Sequence, residues 1–383
     1  MRGPVPNGAY IARLRRWWVN SRATECSIQA GFPRKITVRR TAAANSVGGT
    51  HRNQPVGGNH RCAHNDIQPR QGVGGIRLKR RFCGADARDI VLAGMRNVLI
   101  TGTPRSGTTL LCSLLNKLPD TVALHEPMNV WDFPNCPDAS AVADVIDRFC
   151  ADTRKSLLGT GVAISKHVGG LIPDNVAADR VNRSGTRLRH TEHGPVRIDK
   201  PLSERFALAI KHPVAFTALL GTLSARFDCL AIVRNPLSML ASWNSLAWLN
   251  VKNGHAPIGE KLDPELRQTL ADEPDVFERQ IQIVEWFYNR FRKFLPDAAV
   301  LKYEDVIASH GQNLQTFFPH AAQLNENLVS KNINKFYDKA LMQQLGERLL
   351  KRGGVIWEFY SKADVEKLLQ QVDPTARQTP LPS

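Results

Sequence analysis

The segment Gly102-Thr103-Pro104-Arg105-Ser106-Gly107-Thr108-Thr109 constrains the fold of this chain more than any other stretch. It follows a short apolar run, Asn97–Thr101 (NVLIT), suited to a buried parallel strand. It precedes Thr108–Leu118, where apolar residues at 110, 111, 114, 115 and 118 recur at helical spacing. A Gly-rich turn between strand and helix has the arrangement of a P-loop. Its backbone N–H groups converge and the helix N-terminus adds partial positive charge, so the turn suits an anion. The Lys that reaches the β- and γ-phosphates in nucleotide-hydrolase loops is absent, because Thr108 stands there. Arg105, inside the loop, is the available cation. Such a loop suits a donor with one 5′-phosphate and one transferable anion better than a magnesium triphosphate.

Further short apolar runs follow at Val122–Leu124, Ala207–Lys211, Cys229–Val233 and Ala299–Tyr303. Helical spacing appears over Ala139–Cys150, Val214–Ala225, Pro236–Leu246, Asp275–Leu295 and Lys362–Gln371. Strands alternating with helices predict an α/β fold of P-loop type: three layers, with a central parallel sheet flanked by helices. Asp179–Lys200 is polar and basic and reads as a loop or lid.

The net charge of +16 is unevenly spread. Residues 1–94 hold 17 Lys and Arg against 4 Asp and Glu, and the rest of the chain is nearly balanced. The first 95 residues therefore read as a basic, disordered extension without enough apolar surface to offset its ordering entropy, with Tyr10–Val19 as a short basic helix within it. Residues 96–375 read as the catalytic domain and 376–383 as a tail. A balanced catalytic body gives no ground for expecting a nucleic-acid partner. The seven cysteines are odd in number and form no CxxC pair, which points away from a disulfide scaffold and to a reducing, cytoplasmic setting. His60, Cys62, His64 and Cys83 fit no standard zinc spacing, so no metal is expected. No apolar run reaches the ~18 residues of a membrane span.

Leu99–Met128 (LITGTPRSGTTLLCSLLNKLPDTVALHEPM) resembles the 5′-phosphosulfate-binding region of the sulfotransferases, particularly the tyrosylprotein, carbohydrate and bacterial branches. A second stretch, Ile232–Ser242 (IVRNPLSMLAS), resembles the family's 3′-phosphate segment: a strand ending in Arg234, with Ser242 eight residues on. Ile210-Lys211-His212-Pro213 and Lys302-Tyr303-Glu304-Asp305 are weaker matches. Together these cover roughly residues 96–370. The resemblance implies sulfuryl transfer from 3′-phosphoadenosine 5′-phosphosulfate, without a metal, to an acceptor hydroxyl or amine on a small molecule, carbohydrate or peptide. It implies Pro104, Arg105, Ser106, Gly107, Thr108 and Thr109 around the 5′-phosphate, and Arg234, Ser242 and Tyr303 around the 3′-phosphate. It also implies Arg105 and Lys211 as charge stabilisers and Glu126, 21 residues past Arg105, as general base. Pro127 predicts an extended Glu126 whose carboxylate points off a strand end. His125 is the rival base, since cytosolic sulfotransferases use a His. Trp243, Trp248, Trp286 and Trp357 could stack on adenine or a sugar, and Lys351-Arg352-Gly353-Gly354 could form a basic turn over the nucleotide. The alternative reading is a P-loop kinase or other phosphotransferase, which needs the missing loop Lys and a carboxylate for magnesium.

Overall fold

The apolar runs become strands of one sheet because both of its faces are covered. The computed structural model describes residues 96–183 and 185–372. The basic extension, the Tyr10–Val19 helix, the His60–Cys83 group and the tail lie outside the described residues. In chain order the strands are β1 (Asn97–Gly102), β2 (Thr121–His125), β3 (Val162–His167), β4 (Ala177–Val181), β5 (Arg187–Arg189), β6 (Glu192–Arg197), β7 (Ala207–Lys211), β8 (Asp228–Val233) and β9 (Val300–Lys302). Five form a parallel sheet in the order β2-β7-β1-β8-β9. Alternate residues serve opposite faces. Leu99, Leu124, Ile210 and Val233 enter one core, whereas Val98, Ile100, Ala123, Leu230 and Ile232 enter the other. Two-sided burial explains why these strands read as continuous apolar runs rather than as alternation.

The helices that matter to the site are α1 (Thr108–Leu115), α2 (Ala139–Thr160), α3 (Pro213–Ala218), α4 (Pro236–Asn244), α5 (Val276–Phe294), α6 (Tyr303–Ala308), α7 (Lys339–Lys351) and α8 (Lys362–Val372). α1 and α6 cover one face of the sheet through Leu111, Leu114, Leu115 and Val306. α2 to α5 cover the other through Ile146, Phe216, Leu240, Val284 and Phe287. α5 is N-capped by Asp275, whose side chain accepts from the Phe277 and Glu278 amides, and its last turn carries Arg292 and Lys293, which suit the helix dipole. Its fully buried Phe287, Tyr288 and Phe291 each contribute about 1.5–3 kcal/mol by leaving water.

Several expected boundaries move. α2 continues past Cys150 to Thr160, because its later buried positions include Thr153 and Arg154, which carry no apolar period. The stretch 214–225 divides into α3 and a single turn, Leu220–Leu223. α7 was not expected; Met342, Leu345 and Leu349 form its buried stripe. Asp179–Lys200 is not a loop. It holds β5, β6 and the end of β4, which pair in two antiparallel ribbons, β3–β6 and β4–β5, beside the main sheet. In β3 the inward positions are Ala163, Ser165 and His167, so the alternation is real but not apolar. Among the described residues the cysteines at 112, 136, 150 and 229 are free thiols. No described helix is long and apolar enough to cross a membrane.

Candidate active site

The C-terminal ends of β1, β2, β7 and β8 open into a cavity of about 550 Å³, the place where ligands bind in open parallel sheets. Pro104, Arg105, Gly107, Thr108, Thr109, Glu126, Lys211, Arg234 and Tyr303 all line it. Ser106 and Ser242 are fully buried and stand behind the wall.

The loop after β1 is shaped by glycine. Gly102 has φ +148°, and a Cβ there would lie 2.5 Å from the Ile232 carbonyl oxygen. Gly107, the residue before α1, has φ +106°, and its Cβ would meet the Tyr303 ring at 2.9 Å. Arg105 itself adopts a left-handed backbone, φ +74°. Such a conformation costs a non-glycine residue about 1–3 kcal/mol and persists where the surroundings over-determine it. Within the loop, Thr103 Oγ1 and Ser106 Oγ are buried without a hydrogen-bond partner in the protein. Buried hydroxyls are rarely left unpaired, and both fit an anion-holding loop that a ligand completes. Seven Lys and Arg residues line the cavity, Arg105, Lys166, Lys211 and Arg234 among them, and this wall fits an anionic ligand.

The two strand-end arginines meet. Arg234 Nη1 donates to the Arg105 carbonyl oxygen at 3.0 Å, and its guanidinium lies 4.7 Å from the Tyr303 ring centroid. Arg234 Nε donates to Asn332 Oδ1 at 2.8 Å, and Nη2 to the Lys331 carbonyl. These partners belong to a strap without helix or strand, residues 324–338, that lines the cavity. The strap is tied down again where the Lys331 amide donates to Tyr303 Oη at 3.0 Å and where Asn332 Nδ2 donates to Glu304 Oε1 at 2.8 Å. Arg105 Nη2 donates to Asn175 Oδ1 at 2.9 Å, and its Nε reaches Ser242 Oγ at 3.3 Å. Ser242 therefore meets the cavity through Arg105 and not directly. Burial, helped by Arg234 and Arg187, pulls the Arg105 guanidinium down to about 10, which leaves it charged at neutral pH. Tyr303, expected at a strand end, instead begins α6.

Glu126 occupies the other end. Its backbone is left-handed, φ +46°, and not extended as Pro127 had suggested. Its amide continues the β2–β7 ladder by donating to the Lys211 carbonyl oxygen at 2.9 Å, so the chain must turn sharply to leave the sheet. The carboxylate lies between two ammonium groups: Lys211 Nζ is 2.7 Å from Oε1, and Lys166 Nζ pairs with Oε2. Burial pushes the Glu126 carboxyl up, but Lys166 and Lys211 together with a hydrogen bond to His125 outweigh it and hold it well below the usual range. His125 Nε2 is 3.5 Å from Glu126 Oε1. Burial, with Lys211 beside it, pulls His125 down to about 4. Of the two, Glu126 is the more exposed, at 26% against 1% for the His125 side chain.

Lys166, Asn175, Lys331 and Tyr337 also line the cavity and were not foreseen from sequence. Of the four tryptophans only Trp248 reaches it. Trp243 is buried and donates to the Pro104 carbonyl oxygen at 2.6 Å, Trp286 donates to Asp263 Oδ2 at 2.8 Å, and Trp357 donates to the Arg352 carbonyl oxygen at 2.9 Å. Arg352 is committed to Glu278 and Glu285, and the expected basic turn at 351–354 does not line the cavity.

The chain is similar to two solved mycobacterial structures. One is the sulfotransferase STF1 from Mycobacterium tuberculosis H37Rv, at 14% identity over 74% of this chain and 79% of that one, with a TM-score of 0.27. The other is the sulfotransferase STF9 from Mycobacterium avium, at 14% identity over 76% and 78%, with a TM-score of 0.29. No curated protein matches. A family model described as the sulfotransferase domain matches residues 95–341, well over half of the chain. This chain belongs to the sulfotransferase family.

Proposed function

We propose that the domain over residues 96–375 transfers a sulfuryl group from 3′-phosphoadenosine 5′-phosphosulfate to an acceptor hydroxyl or amine. The observation that carries this reading is the meeting of two cationic strand ends, Arg105 and Arg234, on one cavity that also holds the Glu126–Lys211 pair. The nucleotide supplies an activated sulfuryl group bonded to a phosphate that leaves as a stable anion. The loop amides of residues 104–109 and the start of α1 hold its 5′ side. Arg234 and Tyr303, with Ser242 acting behind Arg105, hold its 3′ side; a guanidinium fork matches a phosphate. Arg105 and Lys211 face the developing negative charge on the leaving oxygen. Preorganised donors of this kind lower a barrier by about 2.7–4 kcal/mol each. Glu126 takes the proton from the acceptor as its oxygen or nitrogen attacks sulfur in line, and the bond from sulfur to the phosphate oxygen breaks. Positioning supplies much of the remaining rate, as in phosphoryl transfer. The acceptor is a small molecule, carbohydrate or peptide, and the reducing-compartment composition fits a cytoplasmic enzyme.

The test is transfer of label from the sulfated nucleotide to a panel of hydroxylated acceptors. Wild type should show transfer, and Glu126→Gln should lose about 10²–10⁴ in kcat. Magnesium-dependent ATP turnover without sulfuryl transfer would sink the reading in favour of a phosphotransferase.

A further inference from the structure

Two ammonium groups hold the Glu126 carboxylate, and they are not equivalent. Lys211 ends a central strand of the parallel sheet, and its side chain is 4% exposed. Lys166 stands near the end of β3, in the two-stranded ribbon beside the sheet, and its side chain is 27% exposed. Glu126 is the one hydrogen-bond partner of its ammonium group among the described residues. The ribbon is placed by Ser165, whose hydroxyl accepts from the His125 amide at 2.9 Å. That bond sets the neighbouring Lys166 against Glu126, 40 residues away in the chain.

Both Glu126 oxygens are therefore engaged, Oε1 by Lys211 and Oε2 by Lys166. Two ammonium groups on one carboxylate lower its basicity, so Glu126 takes a proton more readily once one of them is withdrawn. We propose that Lys166 is a positioning residue that caps Glu126 Oε2 in the resting enzyme and exchanges this carboxylate for the anionic sulfuryl group of the donor. Glu126 then becomes the stronger base only when the donor is in place. The exchange makes and breaks no covalent bond. The proton stays on Lys166, and one anionic partner replaces another. Lys211 stays on Oε1 and keeps the carboxylate aimed. This inference rests on Glu126 being the base.

The groups facing Glu126 support an exchange between charges only. Lys166 approaches from β3, Lys211 and His212 from the end of β7, His125 from β2 and Cys112 from α1. Burial pulls His125 and His212 down to about 4 and about 3 and pushes the Cys112 thiol up to about 12. The two lysines are the cations paired with Glu126, and Lys166 is the more exposed of them.

The experiment is the pH dependence of kcat/KM for the donor and of kcat, with acceptor saturating, in wild type, Lys166→Met and Lys166→Arg. The first parameter reports the donor-free enzyme and the second the loaded one. In Lys166→Met the acid limb of kcat/KM should move to higher pH by about one unit or more, the scale on which a neighbouring cation acts on a carboxylate. The limb of kcat should stay where it is in wild type, and Lys166→Arg should restore the wild-type kcat/KM profile. Lys166→Gln replaces the methionine variant if that one does not fold. An unmoved kcat/KM limb, or equal movement of both limbs, overturns the exchange. Glu126→Gln separates the two readings. If it keeps the wild-type acid limb, Glu126 is not the base. If it loses the limb while Lys166→Met shifts nothing, only the role of Lys166 falls.

Discussion

Replacing Arg234 by Ala should cost this enzyme its preference for a 3′-phosphorylated nucleotide, and the magnitude follows from the side chain's present partners. The guanidinium now donates to Asn332 Oδ1, the Lys331 carbonyl and the Arg105 carbonyl, and its Nη2 lies 3.5 Å from Tyr337 Oη. A phosphate taken in bidentate fashion would form two bonds between ions, at the upper end of the charge-assisted range, about 2.5–3 kcal/mol each. It would displace two strap contacts from the same charged guanidinium to the neutral oxygens of Asn332 and Lys331, at the lower end of that range, about 1.5 kcal/mol each. The difference is about 2–3 kcal/mol, or roughly 30- to 150-fold in Kd. Calorimetry with adenosine 3′,5′-bisphosphate and with AMP reads it directly. Wild type should favour the bisphosphate by about that factor, Arg234→Ala should bind the two alike, and Arg234→Lys should recover only part, because an ammonium has no fork. Equal affinity of wild type for both nucleotides would refute the pairing of Arg234 with a 3′-phosphate, and with it the argument from the two strand ends.

Gly107→Ala places a methyl 2.9 Å from Tyr303 Cδ2 at φ +106°, so thermal melting should fall by several degrees, about 1–3 kcal/mol, and nucleotide binding should drop with it. Arg154→Met removes the N–H groups that serve the Phe206 and Arg96 carbonyls at 2.6 Å and Asn97 Oδ1 at 3.0 Å; urea titration should show a loss of about 3 kcal/mol, and an unchanged midpoint would remove its structural role. Stability should decline as pH falls below about 6.5, because unfolded histidines bind protons there while folded His125 and His212 do so only at about 4 and about 3. By pH 5 each has contributed roughly 2 kcal/mol of loss relative to pH 7. The Glu126 carboxyl, depressed in the fold, adds its own loss only as pH falls further, through the ordinary carboxylate range and below. Identical urea midpoints at pH 7 and pH 5 would contradict all of this.

The parts of the molecule that could be read from sequence are those whose burial is periodic. β1, β2, β7, β8 and β9 announce themselves because each lies between two covered faces, and α5 because its buried positions recur at helical spacing. The anion loop is legible for a different reason. Only glycine allows the chain to pass within 2.5 Å of the Ile232 carbonyl at position 102, and that requirement fixes the residue type. Glu126 was found by its distance from Arg105 in the chain, but its conformation was misjudged. The restriction Pro127 imposes is overridden by the hydrogen bond from the Glu126 amide to the Lys211 carbonyl oxygen.

What the sequence hides is supplied by segments with no period to detect. Lys166 sits in a ribbon whose inward residues are Ala163, Ser165 and His167, and a Ser pointing inward looks like loop until its bond to the His125 amide is known. Lys331, Asn332 and Tyr337 lie in a strap without regular structure, held by side chains of residues far back in the chain. The division has a physical basis. A sheet is built by many equivalent apolar contacts, any of which can be guessed from composition, whereas the strap and ribbon are held by a few individual polar bonds, each meaningful only with its partner in view. The donor recognition proposed for the loop is therefore written on the readable part. The control of Arg234 and Glu126, whose polar atoms are tied up by strap and ribbon before any ligand arrives, is written on the part that only the folded chain reveals.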